Sequence, residues 1–139
     1  MKRGVQLDAF YPVSPERVWR ALTDPVALAQ WLMPNDFEPK VGHRFQFRTA
    51  PRPGWRGIVD CEVTEVDPPR RLSYSWKGDP DWKSPTVVTW ILEPEGEGTR
   101  LRLEHTDFEG LTGWALSLIL KGGWRSMLRS KLPAVLGLC

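Results

Sequence analysis

This chain is short of the residues that usually build metal sites and covalent catalysis. Its 139 residues include two cysteines, Cys61 and Cys139, and two histidines, His43 and His105. Two thiols with no histidine nearby lack the ligand spacing of a zinc site, so no metal is expected. Cys61 reads as a reduced core thiol and Cys139 as an exposed terminal one. Charge of one sign is also missing. The 19 basic and 17 acidic residues are interspersed and leave a net charge of +2. Without a basic block, counterion-driven binding of nucleic acid is not expected. Long apolar runs are absent too: the longest, residues 114–120, falls well short of the roughly 18 residues of a spanning helix. The basic start Met1-Lys2-Arg3-Gly4 leads into Val5-Gln6-Leu7-Asp8, which interrupts any apolar signal core. A cytoplasmic protein without membrane insertion is the expectation, and no motif asks for a cofactor.

What the chain does have is alternation. Residues 70–76 place Leu72, Tyr74 and Trp76 on one side and Arg71, Ser73 and Ser75 on the other. Residues 99–105 oppose Leu101, Leu103 and His105 to Arg100, Arg102 and Glu104, and residues 86–92 repeat the pattern. Successive strand side chains point to opposite faces, so these stretches predict an antiparallel sheet with one wet and one covered face. Further strands are expected at 5–11, 44–49 and 57–66. Asp67-Pro68-Pro69 and Glu95-Gly96-Glu97-Gly98 supply turn chemistry between hairpin partners. Ser14-Pro15-Glu16-Arg17 starts a short helix, with Ser14 as its cap and Pro15 at the first helical position. Thr23-Asp24-Pro25 ends it and starts a second.

The tail from Thr112, a plausible cap, spaces Leu116, Ile119, Leu120, Trp124, Met127, Leu128, Leu132 and Val135 at helical intervals. Gly122-Gly123 would either break this helix or let it approach the sheet closely, and Pro133 implies a kink or an end near Lys131. The expected fold is α+β over residues 1–139 as one domain. It is a curved antiparallel sheet of about six strands wrapped around a long C-terminal helix, with two short helices after strand 1.

The matching motifs are Pro15-Glu16-Arg17-Val18-Trp19-Arg20-Ala21-Leu22-Thr23-Asp24-Pro25 with Trp31, Glu62-Val63 through Pro68-Pro69-Arg70-Arg71-Leu72-Ser73-Tyr74-Ser75-Trp76, Val88-Thr89-Trp90, Gly98-Thr99-Arg100-Leu101 with His105, and Gly123-Trp124 with Leu128. In that order the chain resembles the SRPBCC (START/birch-pollen-allergen-like) superfamily and its helix-grip fold. Within it, the resemblance is to bacterial proteins related to the activator of heat-shock-protein-90 ATPase. The resemblance implies the fold; elsewhere that fold serves lipid carriage, hormone sensing and polyketide cyclisation. The eukaryotic co-chaperone makes much of its chaperone contact through an additional N-terminal domain that these residues do not contain, so chaperone activation does not carry over.

The grip geometry predicts a ligand cavity lined by Phe47, Cys61, Tyr74, Trp76, Trp90, His105, Leu120, Trp124 and Leu128. The wider inner wall adds Phe45, Val59, Val63, Leu72, Val88, Leu92, Leu101, Leu103 and Leu116. Eight tryptophans either line such a cavity or fill the core. His105 reads as a donor or general base toward a ligand, or as a core histidine bonded to backbone or to Tyr74. Asp60, Glu62 and Glu65 read as a solvated face, as do Ser73 and Ser75. No catalytic constellation emerges. The leading expectation is binding of a small hydrophobic or lipid-like molecule, gated by the loop 78–85 and the glycine pair. The alternatives are a cyclase or hydrolase using His105 and Tyr74, and a chaperone-accessory or stress-response interaction protein with a closed interior. A homodimer through an exposed edge strand fits any of these.

Overall fold

In the computed structural model the alternating segments pair into one six-stranded antiparallel sheet. The residues described are 3–53, 55–80, 82, 84–108 and 110–138, with backbone alone at 3 and 110–116. The strands are β1 (Arg3–Tyr11), β2 (Arg44–Arg48), β3 (Ile58–Asp67), β4 (Arg71–Trp76), β5 (Thr86–Glu95) and β6 (Gly98–Phe108). Their spatial order is β1-β6-β5-β4-β3-β2, so the first strand closes onto the last and both β1 and β2 lie at edges. Sequential hairpins build five of the strands. Only the β1–β6 pair, with Leu7 opposite Leu103, must bridge most of the chain.

Two short helices follow β1, α1 (Pro15–Thr23) and α2 (Pro25–Trp31). The expected cap is formed: Ser14 Oγ accepts from the Arg17 N–H at 3.3 Å, and Pro15 occupies the first turn, where its missing N–H costs nothing. Val18, Ala21 and Leu22 turn inward from α1, and Leu28 and Trp31 from α2. The Trp31 indole N–H donates to the Ala21 carbonyl at 2.8 Å, tying the two helices together.

The C-terminal rod runs through α3 (Gly110–Ser126), a π turn (Met127–Lys131) and α4 (Leu132–Val135) without leaving helical backbone. It begins two residues before the expected cap at Thr112. The glycine pair neither breaks it nor lets it approach the sheet. Gly122 and Gly123 are exposed, and a Cβ at either would meet nothing within 4 Å. Pro133 does not end the rod; it sits in the first turn of α4, immediately after the π turn. Past α4, Gly137 takes φ +79° while the Leu138 N–H reaches the Pro133 carbonyl and the Gly137 N–H that of Ala134, a glycine-terminated helix end. Cys139, and the side chain of Leu116, lie outside the described residues.

One face assignment needs correction. Ser73 is buried, not wetted: its hydroxyl donates to the Val88 carbonyl at 3.2 Å and lies 3.0 Å from Thr89 Oγ1. On a central strand the neighbouring strands cover a short side chain on either face. Ser75 is half-buried and accepts from the Glu62 N–H. A register shift between Val63 and Glu65 turns the end of β3, so the alternation that holds through Val63 fails beyond it.

Candidate functional site

Among the described inner positions, the strands deliver every predicted residue to the concave face. Phe47, Cys61, Tyr74, Trp76, Trp90 and His105 are all buried there, facing Trp124 and Leu128 on the rod; Leu120 is half-buried. The rings form one contact network. Trp124 lies 5.3 Å from Trp76 and 5.5 Å from Trp90, centroid to centroid, and Phe47 lies 5.6 Å from Trp76. Trp31 meets Trp90 edge-on at 5.8 Å, which carries the network to α2. Such separations and tilted arrangements suit the ring quadrupoles better than face-to-face stacking.

His105 sits at the centre of this wall with no exposed surface. Its partners are neither backbone nor Tyr74. The Trp124 indole N–H, which can only donate, points at His105 Nδ1 at 3.0 Å, so Nδ1 must be the bare nitrogen. The proton then lies on Nε2, which donates to Thr86 Oγ1 at 2.7 Å, and the Thr86 hydroxyl in turn donates a hydrogen bond to the Trp76 carbonyl at 2.7 Å. The chain of donors runs one way, from the rod through β6 to β5 and back to β4. Burial depresses the histidine to a pKa of about 3, which keeps the ring neutral and the directionality fixed. Both nitrogens are engaged, so as placed the imidazole holds no free lone pair for a substrate.

Tyr74 is engaged as an acceptor. Its hydroxyl accepts from the Trp90 indole N–H at 3.0 Å, and burial pushes its ionisation well above the usual phenol range. Burial, with Asp60 and Asp36 nearby, raises Cys61 as well, so its thiol stays protonated and inert. Outside, Asp60 pairs with Arg56 at 2.6 Å, Glu62 with Arg44 at 3.3 Å and Glu65 with Arg71 at 2.7 Å, as expected of a solvated face. His43 stays on its loop, its Nε2 against the Asp36 carbonyl. Among the described residues, no group of three or more His, Cys, Asp or Glu could hold a metal ion, and no helix is long and apolar enough to cross a membrane.

Sequence reasoning missed three contributors. Thr86 supplies the relay between His105 and Trp76, yet it looked like a strand-opening residue. Phe37 lies in the loop after α2, buried edge-on against Phe45 at 5.0 Å and Tyr74 at 6.2 Å. Phe108 extends β6 beyond its predicted end and packs 4.6 Å from His105. Strict alternation would have put Phe108 on the face opposite His105; the left-handed Asp107, at φ 72°, resets the phase and turns Phe108 inward. The expected gate loop bears Trp82, whose ring lies 3.3 Å from where a Gly78 Cβ would be, while Trp55 donates to the Gly78 carbonyl at 3.0 Å. Gly78 is thus held between two indoles.

A surface cavity of about 360 Å³ lies elsewhere, outside α1, lined by Glu16, Trp19, Arg20, Thr23, Pro68 and Pro69. It is an open groove whose two charged side chains are exposed, and it shares no residue with the aromatic wall.

A curved antiparallel sheet gripping a C-terminal helical rod, with an inner wall of rings and one buried histidine, defines a helix-grip protein of the SRPBCC type. The chain belongs to the family described as Activator of Hsp90 ATPase homolog 1-like protein, whose profile matches residues 12–137. It is similar to protein MLL2253 from Mesorhizobium loti, with 38% identity, a TM-score of 0.84 and 97% of each chain covered. It is also similar to an uncharacterised protein of Mycobacterium tuberculosis, 27% identical over 107 residues, which are 73% of this chain and 75% of that one. In fold it matches the Aha1 dimer from Colwellia psychrerythraea, with 23% identity, a TM-score of 0.80 and 96% of each chain covered.

Proposed function

We propose that the protein binds a small apolar or lipid-like molecule between the concave face of the sheet and the C-terminal rod. The wall of this chamber is Phe47, Cys61, Tyr74, Trp76, Trp90, His105, Leu120, Trp124 and Leu128. The observation that supports it best is the closure of the polar accounts inside. Among the described residues, no buried side-chain nitrogen or oxygen is left without a partner. An occupant therefore meets mostly ring and thiol surface, with one polar handle in the Tyr74 hydroxyl, which accepts from Trp90 and donates in none of the described bonds; this selects for largely apolar contact. Each Å² of apolar surface removed from water contributes roughly 25 cal/mol, set against the cost of association. The engaged nitrogens of His105 favour holding a molecule over acid-base work on it. The rings are already in mutual contact, so admission requires the rod or the loop 78–85 to yield. A homodimer, the state named for the Colwellia relative, belongs to the same proposal, with the edge of β1 or β2 as its seam.

Native mass spectrometry of protein purified from its own host tests the reading. A co-purifying small molecule, displaced by a fatty acid and lost in a Trp76→Ala variant that remains folded, is the expected result. Protein that carries nothing and takes up no apolar probe at millimolar concentration would overturn it.

A further inference from the structure

The π turn leaves one backbone oxygen in an unusual position. In the α pattern the Leu128 carbonyl would accept from the Leu132 N–H, four residues on. That N–H goes instead to the Met127 carbonyl, five residues back. In the π pattern the donor to Leu128 would be residue 133, and residue 133 is a proline without an N–H. The Leu128 carbonyl is thus deprived of both intrahelical donors, and its side chain is 3% exposed, so water is a poor substitute. Tyr11, on β1 and 117 positions away, fills the gap: its hydroxyl donates to this oxygen at 2.6 Å. Burial keeps that phenol protonated.

The bond matters because the rod is tied down differently on its two sides. Ahead of the π turn, Trp124 is fixed to His105 on β6. Behind it, Leu132 is fully buried and the Arg17 guanidinium of α1 donates to the Leu136 carbonyl at 2.7 Å. Each residue advances an α-helix by about 100°, so relaxing the turn to a plain α pattern would rotate one anchor away from its partner by about that angle. The π turn reconciles the two registers, and the Leu128 oxygen is the acceptor it leaves without a donor inside the rod.

We propose that Tyr11 is a positioning residue for the aromatic chamber: by satisfying the Leu128 carbonyl that Pro133 cannot serve, it holds the rod in its π register and thereby seats Trp124 against His105. Tyr11 contacts neither ring of that pair through a hydrogen bond. Its relevance to an occupant rests on the binding role proposed above, whereas the register lock itself does not.

A double-mutant cycle separates the two. Tyr11→Phe removes only the hydroxyl; Pro133→Ala restores an N–H that can serve the Leu128 carbonyl from within the rod. In the unliganded protein, amide hydrogen exchange over residues 127–136 is expected to speed up roughly tenfold or more in Tyr11→Phe, as befits an unpartnered buried carbonyl. The Trp124 indole N–H resonance is expected to shift with it. In the Pro133→Ala background the same Tyr11→Phe change is expected to alter exchange less than about twofold and to leave the indole resonance in place. Equal effects in both backgrounds, or a Trp124 signal indifferent to Tyr11→Phe, would overturn the lock. Binding of 1-anilinonaphthalene-8-sulfonate is read on the same four proteins and is expected to weaken in Tyr11→Phe and recover in the double variant. If the parent protein does not take up this probe, the binding role fails while the exchange cycle still decides the lock.

Discussion

The two sides of the C-terminal rod are held by different means. From Met127 onward the rod is pinned repeatedly: Leu128, Leu132 and Leu136 are buried, Tyr11 holds one carbonyl and Arg17 another. In the described stretch ahead of it, residues 117–126, the large anchor is Trp124. Leu118 and Ile119 are 53% and 71% exposed, and the glycine pair faces open space. Both stretches are helical, yet the first turns several large side chains inward while the second, beside buried Ser117 and half-buried Leu120, has Trp124 as its large buried side chain. Tertiary packing rather than propensity fixes a helix in its seat, so under the binding role proposed above the stretch ahead of the π turn, with fewer large buried side chains, is where the rod would yield.

The largest test of that contrast is Trp124→Ala. It removes the main anchor of the sparse stretch, empties space between Trp76 and Trp90 and leaves His105 Nδ1 without a donor. A loss of about 3–5 kcal/mol in urea unfolding is expected; a loss under about 1 kcal/mol would mean that the stretch is held by something else. Next is Thr86→Val, which keeps the shape but strips the relay. The His105 Nε2–H and the Trp76 carbonyl both lose their partner, for an expected cost of about 1–3 kcal/mol.

The third test uses pH. His105 has a folded pKa of about 3, below the ordinary 6.5, so the unfolded chain takes up a proton that the native ring refuses. The stability due to the neutral ring is complete above pH 6.5 and declines toward pH 3, by about 1.4 kcal/mol per pH unit. Urea midpoints measured from pH 7.5 down to 4.5 are expected to fall more steeply in the parent than in His105→Gln. Parallel slopes would show that the native ring takes up its proton as readily as the unfolded one. The smallest effect is a gain. Gly122→Ala and Gly123→Ala meet no neighbour and are each expected to stabilise the rod by up to about 1 kcal/mol. A loss at either position would reveal a contact that the open surface conceals.

Much of this organisation was legible in the residues themselves. Strict alternation carried Tyr74, Trp76, Trp90 and His105 to one face because a strand leaves a side chain no third direction. Ser14 and Pro15 marked a helix start because capping is local chemistry. What stayed hidden depends on partners distant in sequence. Nothing near Tyr11 announces a carbonyl 117 positions away, and Pro133 alone signalled an interruption without showing that a π turn would absorb it. Ser73 looked wet because a period of two cannot tell a central strand from an edge. Thr86 gained its role only when β5 came into register with β6, placing Val88 opposite His105.

The clustering of indoles has an optical corollary. Trp76 and Trp90 each lie within 5.5 Å of Trp124 at interplanar angles of 59° and 84°, close enough for their excited states to mix. Their near-ultraviolet circular dichroism should therefore carry a signature of the coupled set, distinct from the sum of separate chromophores. Under the proposed binding role, a guest that wedges them apart would erase that signature, and filling could be followed without a dye.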